Sequence, residues 1–161
     1  MADICDQYFA AYKASDYEAV SAFFHPDFEF SDPAFPDLKG KRAKAMFHMF
    51  CTNAAKTKMV VTSSPAEAIP GQDGKFKVEY TCDYVFGVRK VHNPITAVLE
   101  VRDGKILRQV DTFDLKAWAK QALGFLVGTV MGALGILPGV VHKRADERLK
   151  EWCDKNEEFK E

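Results

Sequence analysis

The sequence predicts an α+β domain in which helices pack on one face of an antiparallel sheet. Three observations carry this. Apolar residues recur at helical spacing in Ala2–Lys13 and again in Lys41–Lys56. From Phe76 the period becomes two: Phe76, Val78, Tyr80, Cys82, Tyr84 and Phe86 share one face, and Glu79, Thr81 and Asp83 the other. Asp103-Gly104 then joins the last two predicted strands as a hairpin turn.

The first helix buries Ile4, Tyr8 and Ala11 or Tyr12. Ser15 followed by Glu18 reads as a capping box, so a second helix starts at Asp16, buries Val20, Phe23 and Phe24, and ends at His25-Pro26. A short strand, Phe28–Ser31, leads into the turn forced by Asp32-Pro33 and Phe35-Pro36. The helix from Lys41 carries an apolar stripe of Ala43, Met46, Phe47, Phe50, Cys51 and Ala54, with His48 on the opposite, exposed side. Strands are predicted over Met59–Ile69, from Phe76, over Pro94–Val101 and over Ile106–Phe113.

At 161 residues, one domain large enough to hold its own core is expected. The 22 basic and 23 acidic residues exclude a strongly basic nucleic-acid binder, and 47% apolar residues exclude a disordered chain. Seven of the 13 phenylalanines fall between Phe23 and Phe50, which serves either a large core or an apolar ligand cavity. Cys5, Cys51, Cys82 and Cys153 form no Cys-x-x-Cys unit, and His25, His48, His92 and His142 show no ligand spacing. No metal site and no cofactor are expected. The start lacks the basic-then-apolar order of a signal peptide, so a reducing, cytoplasmic setting is the expectation.

The end of the chain differs in composition. Ala122 to Val141 is twenty residues without a charge, holding five of the ten glycines, with Lys116 and Lys120 before it and His142-Lys143-Arg144 after it. Gly124, Gly128 and Gly132 fall on one helix face suited to close backbone contact. Beyond it, Ala145, Leu149, Trp152 and Cys153 share one side of an amphipathic helix. A broken helical hairpin packed on the domain is expected, with Leu123, Phe125, Leu126 and Val127 closing over a cavity mouth. Twenty uncharged residues with basic flanks also meet the minimum for a membrane contact through 122–141.

Two stretches carry a family resemblance: Tyr8-Phe-Ala-Ala-Tyr-Lys-Ala-Ser-Asp-Tyr-Glu-Ala-Val-Ser-Ala-Phe-Phe24 with His25-Pro-Asp-Phe-Glu-Phe-Ser-Asp-Pro33, and Arg102-Asp-Gly-Lys-Ile-Leu-Arg-Gln-Val-Asp-Thr-Phe-Asp114. They resemble nuclear transport factor 2-like proteins, above all SnoaL-like polyketide cyclases, ketosteroid isomerases and limonene epoxide hydrolases. The resemblance implies a cystatin-like cone over residues 1–115, with a strongly bent antiparallel sheet wrapped around the N-terminal helices. Residues 116–161 would be a helical extension packed on the same domain. It also implies an internal apolar cavity and a homodimer.

By this resemblance Asp32 aligns with the general base of the isomerases, although an Asp-Pro pair also forms turns with no chemistry. Tyr8 aligns with their oxyanion donor. Their second donor position is held here by Thr96, a hydroxyl in place of a carboxylic acid. Asp111 and Asp83 align with the hydrolase aspartates, but Thr81 stands where an arginine would bridge that pair. Asp83 opposes the apolar face of its strand. If that face lines the cavity, Asp83 points away; the alignment instead favours Asp83 inside and the apolar face outside, pairing two copies. Phe24, Phe30, Phe35, Phe47, Phe113 and Trp118 would surround the ligand. The reading is a protein that binds a small apolar molecule and moves protons on it, in isomerisation, cyclisation or dehydration. Its rivals are a non-catalytic binding or dimerisation module and a membrane-associated carrier.

Overall fold

The computed structural model describes residues 2–160, and in it a curled, unclosed sheet wraps the N-terminal helices. Helix α1 (Ala2–Lys13) buries Cys5, Tyr8, Phe9 and Tyr12. Helix α2 (Tyr17–Ser21) is capped by Asp16, whose side chain accepts from the Ala19 N–H. Ser15 is not the cap; it takes a positive φ of 55° and turns the chain between the helices.

Strand β1 (Phe24–Ser31) begins earlier than expected and runs through Pro26, at an irregularity in its register between Phe24 and Glu29. Strand β2 (Leu38–Lys39) pairs with it and leads into helix α3 (Gly40–Thr57). The predicted strand Met59–Ile69 is two short strands, β3 (Val60–Ser63) and β4 (Glu67–Ala68), interrupted at Pro65. Strands β5 (Lys75–Phe86) and β6 (Arg89–Arg102) form one long hairpin around Gly87-Val88. Strand β7 (Lys105–Thr112) completes the sheet, in the order β2-β1-β7-β6-β5-β3 with β4 also on β5. The sheet is antiparallel except where β1 runs parallel to β7.

The concave face of the sheet is the core. Phe76, Val78, Tyr80 and Cys82 are buried there in one cluster with Phe9, Phe47, Leu99 and Ile106. The apolar face of β5 is therefore covered by the chain's own helices, and it is not the outward pairing surface on which the homodimer expectation rested.

Helix α4 (Leu115–Ala122) is capped by Asp114 and closes one end of the concave face. Its Gln121 both accepts from the His92 N–H and donates to the His92 carbonyl, and its Trp118 Nε1–H donates to the Tyr84 hydroxyl at 2.6 Å. Helix α5 (Phe125–Ala133) crosses α4 at Gly128, where a Cβ would lie 2.6 Å from the Lys120 nitrogen. Helix α6 (Leu137–Lys155) returns along α3, with Leu149 and Cys153 in the main core. His48 is consequently half-buried rather than exposed: it accepts from the Trp152 Nε1–H and packs at a tilt against Phe159. Phe125, Leu126 and Val127 do not close over the interior; all three face solvent.

Candidate functional site

Three polar side chains are buried among the described residues: Asn93, Gln109 and Asp111. All lie on the concave face, because alternation on β6 and β7 turns them inward while Thr96, Val110 and Thr112 turn out. Such groups are costly to bury unless they are hydrogen-bonded.

Gln109 and Asp111 belong to a continuous chain. The Tyr8 hydroxyl donates to Gln109 Oε1 at 2.8 Å, and Gln109 Nε2 donates to both Asp111 oxygens at 2.9 and 3.1 Å. From the opposite side the Tyr80 hydroxyl donates to Asp111 Oδ2 at 2.5 Å. Tyr8 comes from α1, Tyr80 from β5, and Gln109 and Asp111 from β7, so three elements converge on one carboxyl group. Burial pushes the Asp111 carboxyl up to about 7, against the opposing effect of the Tyr80 and Gln109 donors.

Asp32 is the second acid whose charge acts on Asp111. It follows β1 directly, one residue beyond the Ser31–Val110 pair of the parallel β1–β7 ladder, and its charge adds to the rise at Asp111. One of its oxygens, Oδ1, accepts from the N–H groups of Ala34 and Phe35, both at 2.6 Å. Asp32 thus forms the turn read from Asp-Pro, and its charge reaches Asp111. Burial raises it to about 6, while the two backbone donors and His142 pull it down. His142 reaches this turn from α6, with Nε2 2.9 Å from the Pro33 carbonyl.

The aromatic residues expected around a ligand behave differently from one another. Phe24, Phe30, Phe35 and Phe47 are buried core residues, and the Tyr8 ring packs on Phe24 and Phe47. Phe113 and Trp118 are half-buried at the α4 end, where Trp118 meets Phe86 edge-on. Two expected residues lie outside the interior. Asp83 is on the convex face with its side chain 47% exposed, and its Oδ1 lies 2.6 Å from His92 Nδ1. Thr96 is also on that face, donating to Glu79 at 2.8 Å. Both are corrections with one cause: the apolar side of β5 and β6 faces inward, so the polar side of each strand faces out.

Gln109 and Tyr80 were missing from the residues singled out in the sequence. Gln109 was detectable, since it shares the inward phase of Asp111 two positions away. Tyr80 was hidden in an apolar row and is recognised only once Asp111 is seen opposite it.

The curled sheet wrapped around helices is a nuclear transport factor 2-like fold. The chain belongs to the SnoaL-like domain family, whose profile matches residues 5–109. No curated protein matches it. Among solved structures it is similar to a protein assigned as a polyketide cyclase from Silicibacter, at 23% identity over 74% of this chain and 92% of that one, with a TM-score of 0.60. A limonene-epoxide-hydrolase-like epoxide hydrolase from M. tuberculosis shares 20% identity over 83% and 94% of the two chains, with a TM-score of 0.58. TerC, co-crystallised with polyporic acid, shares 18% identity over 75% and 96%, with a TM-score of 0.61.

Proposed function

We propose that the chain binds a small apolar molecule, carbonyl-bearing or polycyclic, beside Asp111 and moves a proton on it. The observation that carries this reading is the buried Asp111 carboxyl, held by donors from Tyr80 and Gln109 and raised further by the charge of Asp32. Two adjacent carboxyls near neutrality hold their protons unequally, so one serves as base while the other serves as acid. With Asp111 raised to about 7 and Asp32 to about 6, Asp111 is the group that keeps its proton longer. Asp32 takes a proton from the carbon beside a carbonyl, Asp111 gives its own proton to another atom of the molecule, and the Asp32 proton passes back to Asp111 through water to close the cycle; this exchange is common to isomerisation, cyclisation and dehydration.

Tyr8 is a positioning residue in this scheme. Its hydroxyl is spent on Gln109 Oε1, and that bond fixes which end of the amide meets Asp111. We take the half-buried Phe113, Tyr84 and Trp118, with the turn after Asp32, as the side from which the molecule enters. Polyporic acid, with which TerC was co-crystallised, is the model for the ligand class in this reading.

The test uses two probes. Polyporic acid is titrated while tryptophan fluorescence is followed, and 2-tetralone is incubated with the protein in deuterium oxide while exchange of its α-protons is followed by NMR. Binding plus protein-dependent exchange that is lost in Asp111→Asn supports the reading. Exchange unaltered in that variant, or neither probe acted on, overturns it. Binding without exchange selects a second reading, a non-catalytic binding module. The observation favouring that one is that no buried side-chain polar atom among the described residues lacks a partner.

A further inference from the structure

The C-terminal helices leave a large apolar surface uncovered. Phe125 (69% exposed), Leu126 (77%) and Leu134 (66%) face solvent together with Val127, Val130 and Ile136. Monomeric soluble domains rarely present so many large apolar groups side by side. The opposite side of α5 is already used. Gly128 lies on the α4 backbone, and a Cβ at Gly132 would meet the Lys116 side-chain stem at 3.6 Å. Leu126, Val130 and Leu134, at spacings of four, therefore form the outward stripe of a helix whose inward stripe is glycine.

The segment that carries this surface has one sign of charge. Between Leu115 and Ala145 there is no aspartate or glutamate, while Lys116, Lys120, Lys143 and Arg144 all lie there. Lys120 Nζ is 5.7 Å from the centre of the Phe125 ring. Arg89 lies against Gly124, and its neighbour Val88, at the tip of the β5–β6 hairpin, is 95% exposed. The two acids that bracket the segment are engaged: Asp114 caps α4, and Asp146 pairs with Arg42 at 2.5 Å.

We propose that this face docks on an anionic lipid surface, with α5 lying in the interface and the basic residues of the segment on the headgroups. Length excludes a crossing by α5. Its nine residues extend about 14 Å at 1.5 Å each, roughly half of a hydrocarbon core. Among the described residues no single helix is long and apolar enough to span, and α5 and α6 are bent by 117° at their break. A second copy of the chain is the less suitable occupant. A two-fold interface brings a patch against itself, and here it would bring one basic segment onto another. Apolar insertion and headgroup attraction instead act together.

The experiment is co-sedimentation of the full chain with vesicles of phosphatidylcholine alone and of phosphatidylcholine with one-third phosphatidylserine. Sedimentation with the anionic vesicles, weakened by salt and lost in Leu126→Glu/Val130→Glu, supports the proposal. Lys143→Gln/Arg144→Gln, at two exposed positions, should weaken partitioning by about fivefold per charge removed. Equal binding to neutral vesicles, or no binding to either, overturns the proposal. So does a dimer in sedimentation equilibrium that the double glutamate variant converts to monomer while vesicles leave the protein in solution.

Discussion

The Tyr80 hydroxyl meets the Asp111 carboxylate at 2.5 Å in the floor of the concave sheet, across the β5–β6–β7 ladder. Charge-assisted hydrogen bonds of this kind favour the ionised acid, and burial opposes them. Tyr80→Phe removes the donor and keeps the ring. The Asp111 midpoint should then rise further, by about one unit, and the fold should lose about 1–2 kcal/mol at neutral pH. Carboxyl NMR and denaturant unfolding read the two effects. A midpoint that falls would contradict the assignment of Tyr80 as the stabilising donor.

Asp111 also makes stability depend on pH. Its folded value is about 7, against 3.8 for an ordinary aspartate, so between about pH 4 and 7 the folded chain holds more protons than the unfolded one. Stability is therefore highest below this window and falls as pH rises through it, by as much as about 4 kcal/mol. Asp111→Asn mimics the protonated acid and should flatten most of that slope, leaving the smaller share from Asp32. Urea unfolding from pH 4 to 8 tests this; parallel slopes in variant and wild type would contradict it.

The α4–α5 crossing depends on one missing side chain. At Gly128 a Cβ would meet the α4 backbone at 2.6 and 2.8 Å, whereas at Gly139 nothing lies within 4 Å. Gly128→Ala should therefore separate the helices and lower the melting temperature. Gly139→Ala should leave it unchanged or raise it, since alanine is the better helix former by about 1 kcal/mol. Melting curves for the pair decide this, and equal effects would count against the crossing.

Leu149 anchors α6 to the main core and is fully buried. Leu149→Ala should cost about 2–5 kcal/mol, the usual range for a large-to-small change in a packed interior. A loss below about 1 kcal/mol would mean that α6 does not share the core.

Much of this architecture was legible in the sequence because periodicity reports which side of an element is apolar. The α3 stripe and the alternation from Phe76 to Phe86 located their elements within a few residues. Periodicity does not report which way an apolar face points. Phe76, Val78, Tyr80 and Cys82 were expected outside, and that inversion misplaced Asp83 inside; Thr96 was misplaced by the resemblance to the isomerases, since on β6 it turns outward opposite Glu79. β1 was shortened because Pro26 reads as a break, although an irregular parallel pairing tolerates it. Gln109 and Tyr80 escaped notice because a buried polar network is long-range: Tyr8 and Gln109 are 101 positions apart. The lid expected from Leu123 to Val127 was read from apolarity alone, and apolarity is equally compatible with an exposed face.

The central claim is that Asp111 is a buried acid coupled to Asp32. Carboxyl-labelled aspartate, assigned by Asp111→Asn and followed by NMR from pH 3 to 9, tests it most directly. The account predicts a midpoint near 7 that moves downward in Asp32→Asn, because the neighbouring negative charge is gone. A midpoint near 4, or one indifferent to Asp32, would contradict it.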